Sequence, residues 1–347
     1  MHKRIKTLEG LRGISIILVL LSHYVSDTIP GGLGVNIFFV ISGFIITRNA
    51  IRESQTTGTF SVRRFYLRRV AKIAPGLILL VWVPSIIAWI YGKITALALA
   101  SQVFLIYNWT IALSKLAPGA ELPGSHVLWS LSIEEQFYLV FAIGFFACTK
   151  WPNLRRFFTG AIITASAGTW ILKLLLFAHG ASIERLYFGT DTRAEAICWG
   201  ILVALAQQFE IIGKHRFKPI LRDALIFICA TATLGSLFIS DLAFQNVGKY
   251  SFECTMIAAV LYLLVDSEFT EIGIFHRLLE IKPLQFIGKI SYSLYLCHWI
   301  IYFALSHICP PNLLVPLGVV ASVISAWIVT RFVEQPIVFA VKRRQTD

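Results

Sequence analysis

Charged side chains are scarce in this sequence. They make up 14% of its 347 residues, whereas a water-soluble domain carries about 25%. Hydrophobic residues reach 56%, and the mean hydropathy is +0.72. That poverty of charge excludes intrinsic disorder and an ordinary soluble enzyme. Cys-x-x-Cys pairs are missing too. Cys148, Cys198, Cys229, Cys254, Cys297 and Cys309 stand singly, nearly all inside apolar runs, so neither a disulfide framework nor a metal site is expected. No nucleic-acid module is visible, and no basic stretch lies outside the hydrophobic framework. The net charge of +12 is therefore not read as nucleic-acid binding. A cleavable leader is also lacking, since the first apolar run has no small-residue cleavage site and reads as a retained helix.

What is present is a series of apolar runs. They lie near 8–29, 33–50, 73–92, 96–114, 127–149, 157–179, 191–209, 221–240, 250–266, 285–307 and 313–335. A helix needs about 20 such residues to cross a bilayer. The expected fold class is all-α, a polytopic membrane helical bundle. It is read as a single domain over 1–347 with no appended soluble domain. Lys and Arg cluster at Lys3–Lys6, Arg48–Lys72, Lys150–Arg156, Lys214–Arg222, Arg277–Lys289 and Lys342–Arg344. Cytoplasmic loops are enriched in these residues. Crossing at every run would leave the clusters around 150–156 and 214–222 outside. If 96–114, which holds Ser101, Gln102 and Asn108, is a re-entrant or interfacial helix, about ten spans remain. All clusters and both termini then face the cytoplasm.

Ionisable residues inside spans cost about 2.5–3.5 kcal/mol each on insertion scales. This chain keeps Glu9, Arg12, His23, Glu134, Glu135, Asp191, Arg193, Glu195, Glu253, His298 and Glu334 in or at the edge of its apolar runs. Internal ion pairing suits Glu9, Glu195, Glu253 and Glu334. The set as a whole implies a water-accessible interior pathway. Arg12 and His23 are eleven residues apart on one helix, which is about three turns and a rise of about 16 Å. Both face the same way, one far above the other. A ligand with negative charge at one end and a reactive group at the other suits that geometry, and acyl-CoA is such a molecule. Arg63, Arg64, Arg68, Arg69 and Lys72 would hold its phosphates at the cytoplasmic mouth. The same cationic loop is equally an orientation signal.

Several segments resemble the acyltransferase-3 family of integral membrane O-acyltransferases. LEGLRGISIILVLLSHY carries an Arg-x10-His pair as Arg12 and His23. GVNIFFVISGFIITR carries Phe38, Phe39 and the Ser42-Gly43-Phe44 turn, and FYLRRVAKIAPG is similar to the family's cationic loop. LWSLSIEEQFYL supplies Trp129, Ser130, Glu134, Phe137 and Tyr138; TDTRAEAICWG supplies Asp191 and Arg193. IGKISYSLYLCHW supplies Ser291, Tyr292, Tyr295 and His298, and RFVEQP closes with Glu334 and Pro336. One departure is Lys72, where the family usually has an arginine; lysine keeps the charge and loses the bidentate fork.

The resemblance spans about Ile5 to Pro336 and implies a glycan O-acetyltransferase. It would move an acyl group, most simply acetyl, from cytoplasmic acetyl-CoA to a hydroxyl of a cell-surface or exported glycan. A lipopolysaccharide O-antigen or another polysaccharide is such an acceptor. His23 is the implied general base or acyl-carrying nucleophile, Glu134 its orienting carboxylate, and Arg12 a grip on the donor. Donor binding falls to Arg12, Arg68, Arg69 and Lys72. Ser42, Asp191, Arg193, Tyr292 and His298 are substrate-contacting or structural polar residues, with Arg193 or Ser42 candidates for the thioester oxyanion. No metal is implied. The partners are a glycan or glycolipid acceptor and membrane lipid, at the inner (plasma) membrane. A glycolipid transporter or flippase is the competing class. No inverted repeat and no matched pair of broken helices favours it.

Overall fold

The computed structural model describes residues 5–151, 154–208, 217–265 and 273–344. Of the cations that set the expected orientation, Lys3, Arg4, Lys214 and Arg216 lie outside the described residues, as does the side chain of Arg155. The described chain is helical throughout, with no strand. In order it forms α1 (Lys6–Tyr24), α2 (Gly31–Thr57), α3 (Val62–Leu77), α4 (Val83–Ile90), α5 (Ala96–Val103) and α6 (Tyr107–Ala112). Next come α7 (Leu128–Lys150), α8 (Leu154–Ala178), α9 (Ile183–Phe188), α10 (Thr190–Arg193), α11 (Glu195–Gln208) and α12 (Pro219–Ser236). The remainder are α13 (Lys249–Val265), α14 (Ile274–Leu279), α15 (Lys282–Ser306), α16 (Pro311–Val329) and α17 (Gln335–Arg343). The fold is an all-α polytopic membrane bundle.

Seven helical segments are long and apolar enough to cross a membrane: 31–57, 62–90, 125–150, 156–178, 219–236, 244–265 and 311–343. The other three expected spans correspond to α1, α11 and α15. These pack centrally, α1 along α15 and α11 along α2. At 14 residues, α11 is about 21 Å long, shorter than a typical hydrocarbon core. The 96–114 run breaks into α5 and α6, of 8 and 6 residues, and neither can cross. Positive φ at Leu105 and Ser114 ends the helical path on either side of α6. Polar side chains hold this segment inside the protein. Ser85 donates to Gln102 at 2.8 Å, and Gln102 donates to Ser125 at 2.9 Å.

Burial separates interior from periphery. The apolar window of α2 is 72% buried, while those of α8 and α12 are each 22% buried. Ile163, Ile171, Leu175, Phe227 and Ile228 are exposed apolar residues on those outer helices, the faces that lipid covers. The central helices approach closely because glycine removes the intervening side chain. A Cβ at Gly43 would lie 2.0 Å from the Ile197 carbonyl oxygen, and one at Gly200 would lie 2.0 Å from that of Val40. Alanine at either position would force α2 and α11 apart.

The cationic segment expected as a loop is helical instead. Ser61 caps α3 by accepting from the Arg64 amide at 3.2 Å, and Gly58 ends α2 with φ +74°, the left-handed geometry of a helix stop. Arginine, leucine and alanine are good helix formers, so the chain turns once and re-enters helix. Pro75 then leaves its own turn without an amide donor, and α3 loosens into a π-helical turn over Ile78–Trp82 before α4 continues the rod.

Candidate active site

The charged residues of the interior line two cavities in series. The first, of about 150 Å³, lies among α1, α2, α3, α7 and α15, with Arg12, Ser42, Arg69, Lys72 and Glu134 in its wall. The second, of about 310 Å³, is walled by His23, His126, Trp129, Tyr187 and Trp299. Val35 and Tyr295 line both, so the cavities meet at these two side chains. Arg12 and His23 therefore sit in successive chambers along one face of α1, the arrangement their spacing predicts.

Arg12 donates from Nε and Nη2 to Ser291 Oγ at 3.2 and 3.1 Å. Arg69 lies 3.6 Å above the Tyr138 ring, a cation–π contact in a desolvated setting. Its Nε and Nη2 are buried and have no hydrogen-bond partner among the described residues. Tyr138 donates to Glu134 at 2.8 Å and also bonds Ser42. Lys72 forms an ion pair with Glu334, which Ser293 also bonds. Tyr292, beside Lys72, donates to the Ile73 carbonyl at 2.7 Å and ties α15 to α3.

Arg68 is not brought to the cavity. Successive helical residues diverge by about 100°, so Arg68 points away from Arg69 and forms an ion pair with Glu53 of α2, joined by Arg64 at 3.5 Å. Only Arg69 and Lys72, three residues apart, share the inward face.

His23 hydrogen-bonds His298, Nδ1 to Nε2 at 2.8 Å, and its ring lies 3.7 Å from that of Trp299. Glu134 does not take this place. It lines the first cavity, bonded to Tyr138, because it enters α7 one turn below Ser130, whose hydroxyl bonds Tyr295 at the junction. The partner of His23 comes from α15, which packs along α1. Tyr24 secures that contact. Its hydroxyl donates to the His298 carbonyl at 2.7 Å and bonds Ser322 of α16 at 2.8 Å.

Asp191 and Arg193 part company. Asp191 is clasped by both terminal nitrogens of Arg185 at the margin of the bundle. Arg193 is 2% exposed and donates to Asn36 at 2.8 Å, which in turn donates to Glu253 at 2.7 Å. Its guanidinium lies over Tyr250, Tyr187 and Trp129 at 4.3, 4.7 and 5.6 Å. Arg193 lines neither cavity; it props Tyr187 and Trp129, which wall the second.

Among the acids suited to internal pairing, Glu195 accepts from Lys173 at 2.6 Å, Glu253 from Asn36, and Glu334 from Lys72. Sequence reasoning missed Lys173, although a lone lysine inside the 157–179 run was a visible signal. It also missed Asn36, His126 and Trp299. The last two adjoin the quoted motifs at Trp129 and His298, so a scan of motif flanks for polar and aromatic side chains finds them.

Comparison with known proteins agrees with this layout. A family model described as an acyltransferase domain matches residues 5–331. The O-acetyltransferase OatA of Staphylococcus aureus is 29% identical over 95% of this chain and 56% of its own length. The peptidoglycan O-acetyltransferase OatA of Listeria monocytogenes is 27% identical over 97% of this chain and 56% of its own length. A putative O-acetyltransferase of S. aureus is 27% identical over 95% and 56%. The chain thus spans about half the length of the curated relatives it matches. No solved structure matches it. With the family model covering nearly every helix that lines the two cavities, the chain belongs to the acyltransferase-3 family.

Proposed function

We propose that this protein is a membrane O-acetyltransferase, taking an acetyl group from cytoplasmic acetyl-CoA and passing it through the bundle to a glycan hydroxyl on the far side. The observation that carries this reading is the pair of cavities meeting at Val35 and Tyr295. Arginine and lysine line one chamber, and an imidazole pair borders the other. The names of the relatives favour a peptidoglycan acceptor over a lipopolysaccharide O-antigen. The membrane is the inner (plasma) membrane, with both termini and the α2–α3 turn cytoplasmic.

The residues of the first chamber fit such a donor. Two buried N–H groups of Arg69 lack a partner among the described residues, and a buried donor left open is costly unless a ligand fills it. Arg69 with Lys72 would bind the anionic or carbonyl groups of the donor arm, and Arg12 would bind it further in. The donor supplies the acyl group as a thioester. Phe38, Phe39 and Tyr295 narrow the passage between chambers and limit water there. In the second chamber His23 takes the proton of the acceptor hydroxyl. Trp129, Tyr187 and Trp299 offer the aromatic faces on which a sugar ring stacks.

His23→Ala tests the reading. Membranes carrying the variant at matched expression should lose transfer of labelled acetyl from acetyl-CoA to glycan by about 10²–10⁴-fold. Mass spectrometry of purified peptidoglycan and of other surface glycans would show which acetyl mass disappears. Full acetylation by the variant would make His23 a structural residue and sink the mechanism.

A further inference from the structure

The two histidines form a directed chain whose polarity can be read from its fixed end. His298 Nδ1 lies 2.8 Å from the Tyr295 carbonyl oxygen and 3.1 Å from that of Leu294. A carbonyl oxygen only accepts, so Nδ1 carries the proton. In a neutral imidazole the other nitrogen is then a bare acceptor. That nitrogen, Nε2, is the one 2.8 Å from His23 Nδ1. His23 Nδ1 must therefore carry its own proton and donate it, which leaves the lone pair on His23 Nε2.

Ring geometry supports this direction. The planes are 7° apart and the centroids 5.1 Å apart. That separation leaves room only for the two ring radii and the 2.8 Å bond, so the bond lies along the line of centroids and in both ring planes. His298 is fully buried and lines neither cavity, whereas His23 lines the second. Tyr24, next to His23, holds the His298 carbonyl and keeps α1 and α15 in register at this point.

We infer that His298 is a positioning residue: it sets the tautomer of His23, so that the unprotonated Nε2 is the nitrogen available to the acceptor. The inference rests on the acetyltransferase reading. In the step it serves, the acceptor O–H proton moves to His23 Nε2 as the oxygen attacks the thioester carbonyl carbon. The C–S bond then breaks, and the departing thiolate takes the proton from Nε2. Throughout, His23 Nδ1–H stays bonded to His298 Nε2, whose lone pair stabilises the transient imidazolium. His298 neither gains nor loses a proton. The chain performs the orienting task that a carboxylate performs in hydrolytic triads, without a charge at membrane depth.

Two substitutions and one spectrum test it. In purified, folded protein, His298→Leu removes the acceptor and should lower kcat by about 10²–10⁴-fold, the range seen when a triad histidine is held in the wrong tautomer. KM for the glycan should change little. His298→Gln returns an acceptor oxygen near the place of Nε2 and should recover most of the lost kcat. ¹⁵N spectra of histidine-labelled protein, assigned with His23→Gln, should show His23 with a protonated Nδ1 and a bare Nε2. That signal should split between tautomers in His298→Leu and persist in His298→Gln. A bare Nδ1 on His23 in the unsubstituted protein would overturn the inference, as would a His298→Gln variant as inactive as His298→Leu. The spectrum needs no turnover, so it separates failure of this inference from failure of the acetyltransferase reading, which His23→Ala tests.

Discussion

Two clusters of buried charge lie inside this bundle and differ in one respect. Around Lys173 the polar groups close on themselves. Lys173 donates to Glu195 at 2.6 Å and to Ser251 at 2.8 Å, and Ser251 donates to Glu195 at 2.8 Å. This triangle joins α8, α11 and α13 and lines neither cavity. Around Arg69 the polar groups stay open: Tyr138 takes the guanidinium face, Glu134 and Ser42 bond Tyr138, and two N–H groups of Arg69 remain unfilled beside the first chamber. A closed cluster holds helices together, and an open one beside a cavity awaits a ligand. Charge at membrane depth alone does not separate the two; the completeness of the hydrogen bonding does.

The sharpest test of that contrast is Lys173→Met. Removing one partner of a buried ion pair destabilises by about 3–5 kcal/mol. Thermal unfolding in detergent should show it, and adding Glu195→Gln should recover part. Lost acetyl transfer from a variant of unchanged stability would break the comparison. A smaller effect is expected at the open cluster. Arg69→Ala removes a charge-assisted contact worth about 1.5–3 kcal/mol, which should weaken acetyl-CoA binding by roughly 10- to 150-fold. Arg69→Lys should restore only part, since the planar fork is lost. Lys72→Ala should cost less than Arg69→Ala, because Glu334 already engages Lys72. Isothermal titration on purified protein measures all three. The smallest effect belongs to Arg68→Ala. Its pairing with Glu53 lies outside the chambers and is partly exposed, a setting worth about 0–1 kcal/mol. Stability should shift within that range and donor affinity should barely change. A large loss of donor affinity here would move the donor site to the other face of α3.

Arg68 and Arg69 also mark the limit of what was legible beforehand. The run of cations was plain in the sequence, and so was its place between two apolar runs. Which of the cations faces inward depends on whether the segment is loop or helix, and the Ser61 cap with the Gly58 stop makes it helix from Val62. The 100° step per residue then separates neighbours that a loop would leave equivalent. Glu134 illustrates the same limit across helices. Its motif marked it as a site residue, and it does line the first chamber, but its distance from His23 along the bundle is set by how α7 packs against α1 and α2.

The sequence by itself determined the class of this protein and the chambers' chemistry. Apolar runs of about 20 residues dictate membrane helices, since a backbone in lipid must satisfy its own hydrogen bonds. Residues eleven apart on one helix must share a face, which is why Arg12 and His23 fall in line. Tertiary structure alone decided the pairings between helices. His298 meets His23, Lys173 meets Glu195, and Asn36 joins Arg193 to Glu253 because α15, α8 and α2 approach those partners closely, at distances governed by glycines such as Gly43 and Gly200. Helical periodicity carries information along one element; contact between elements depends on packing depth and register, which no single element encodes.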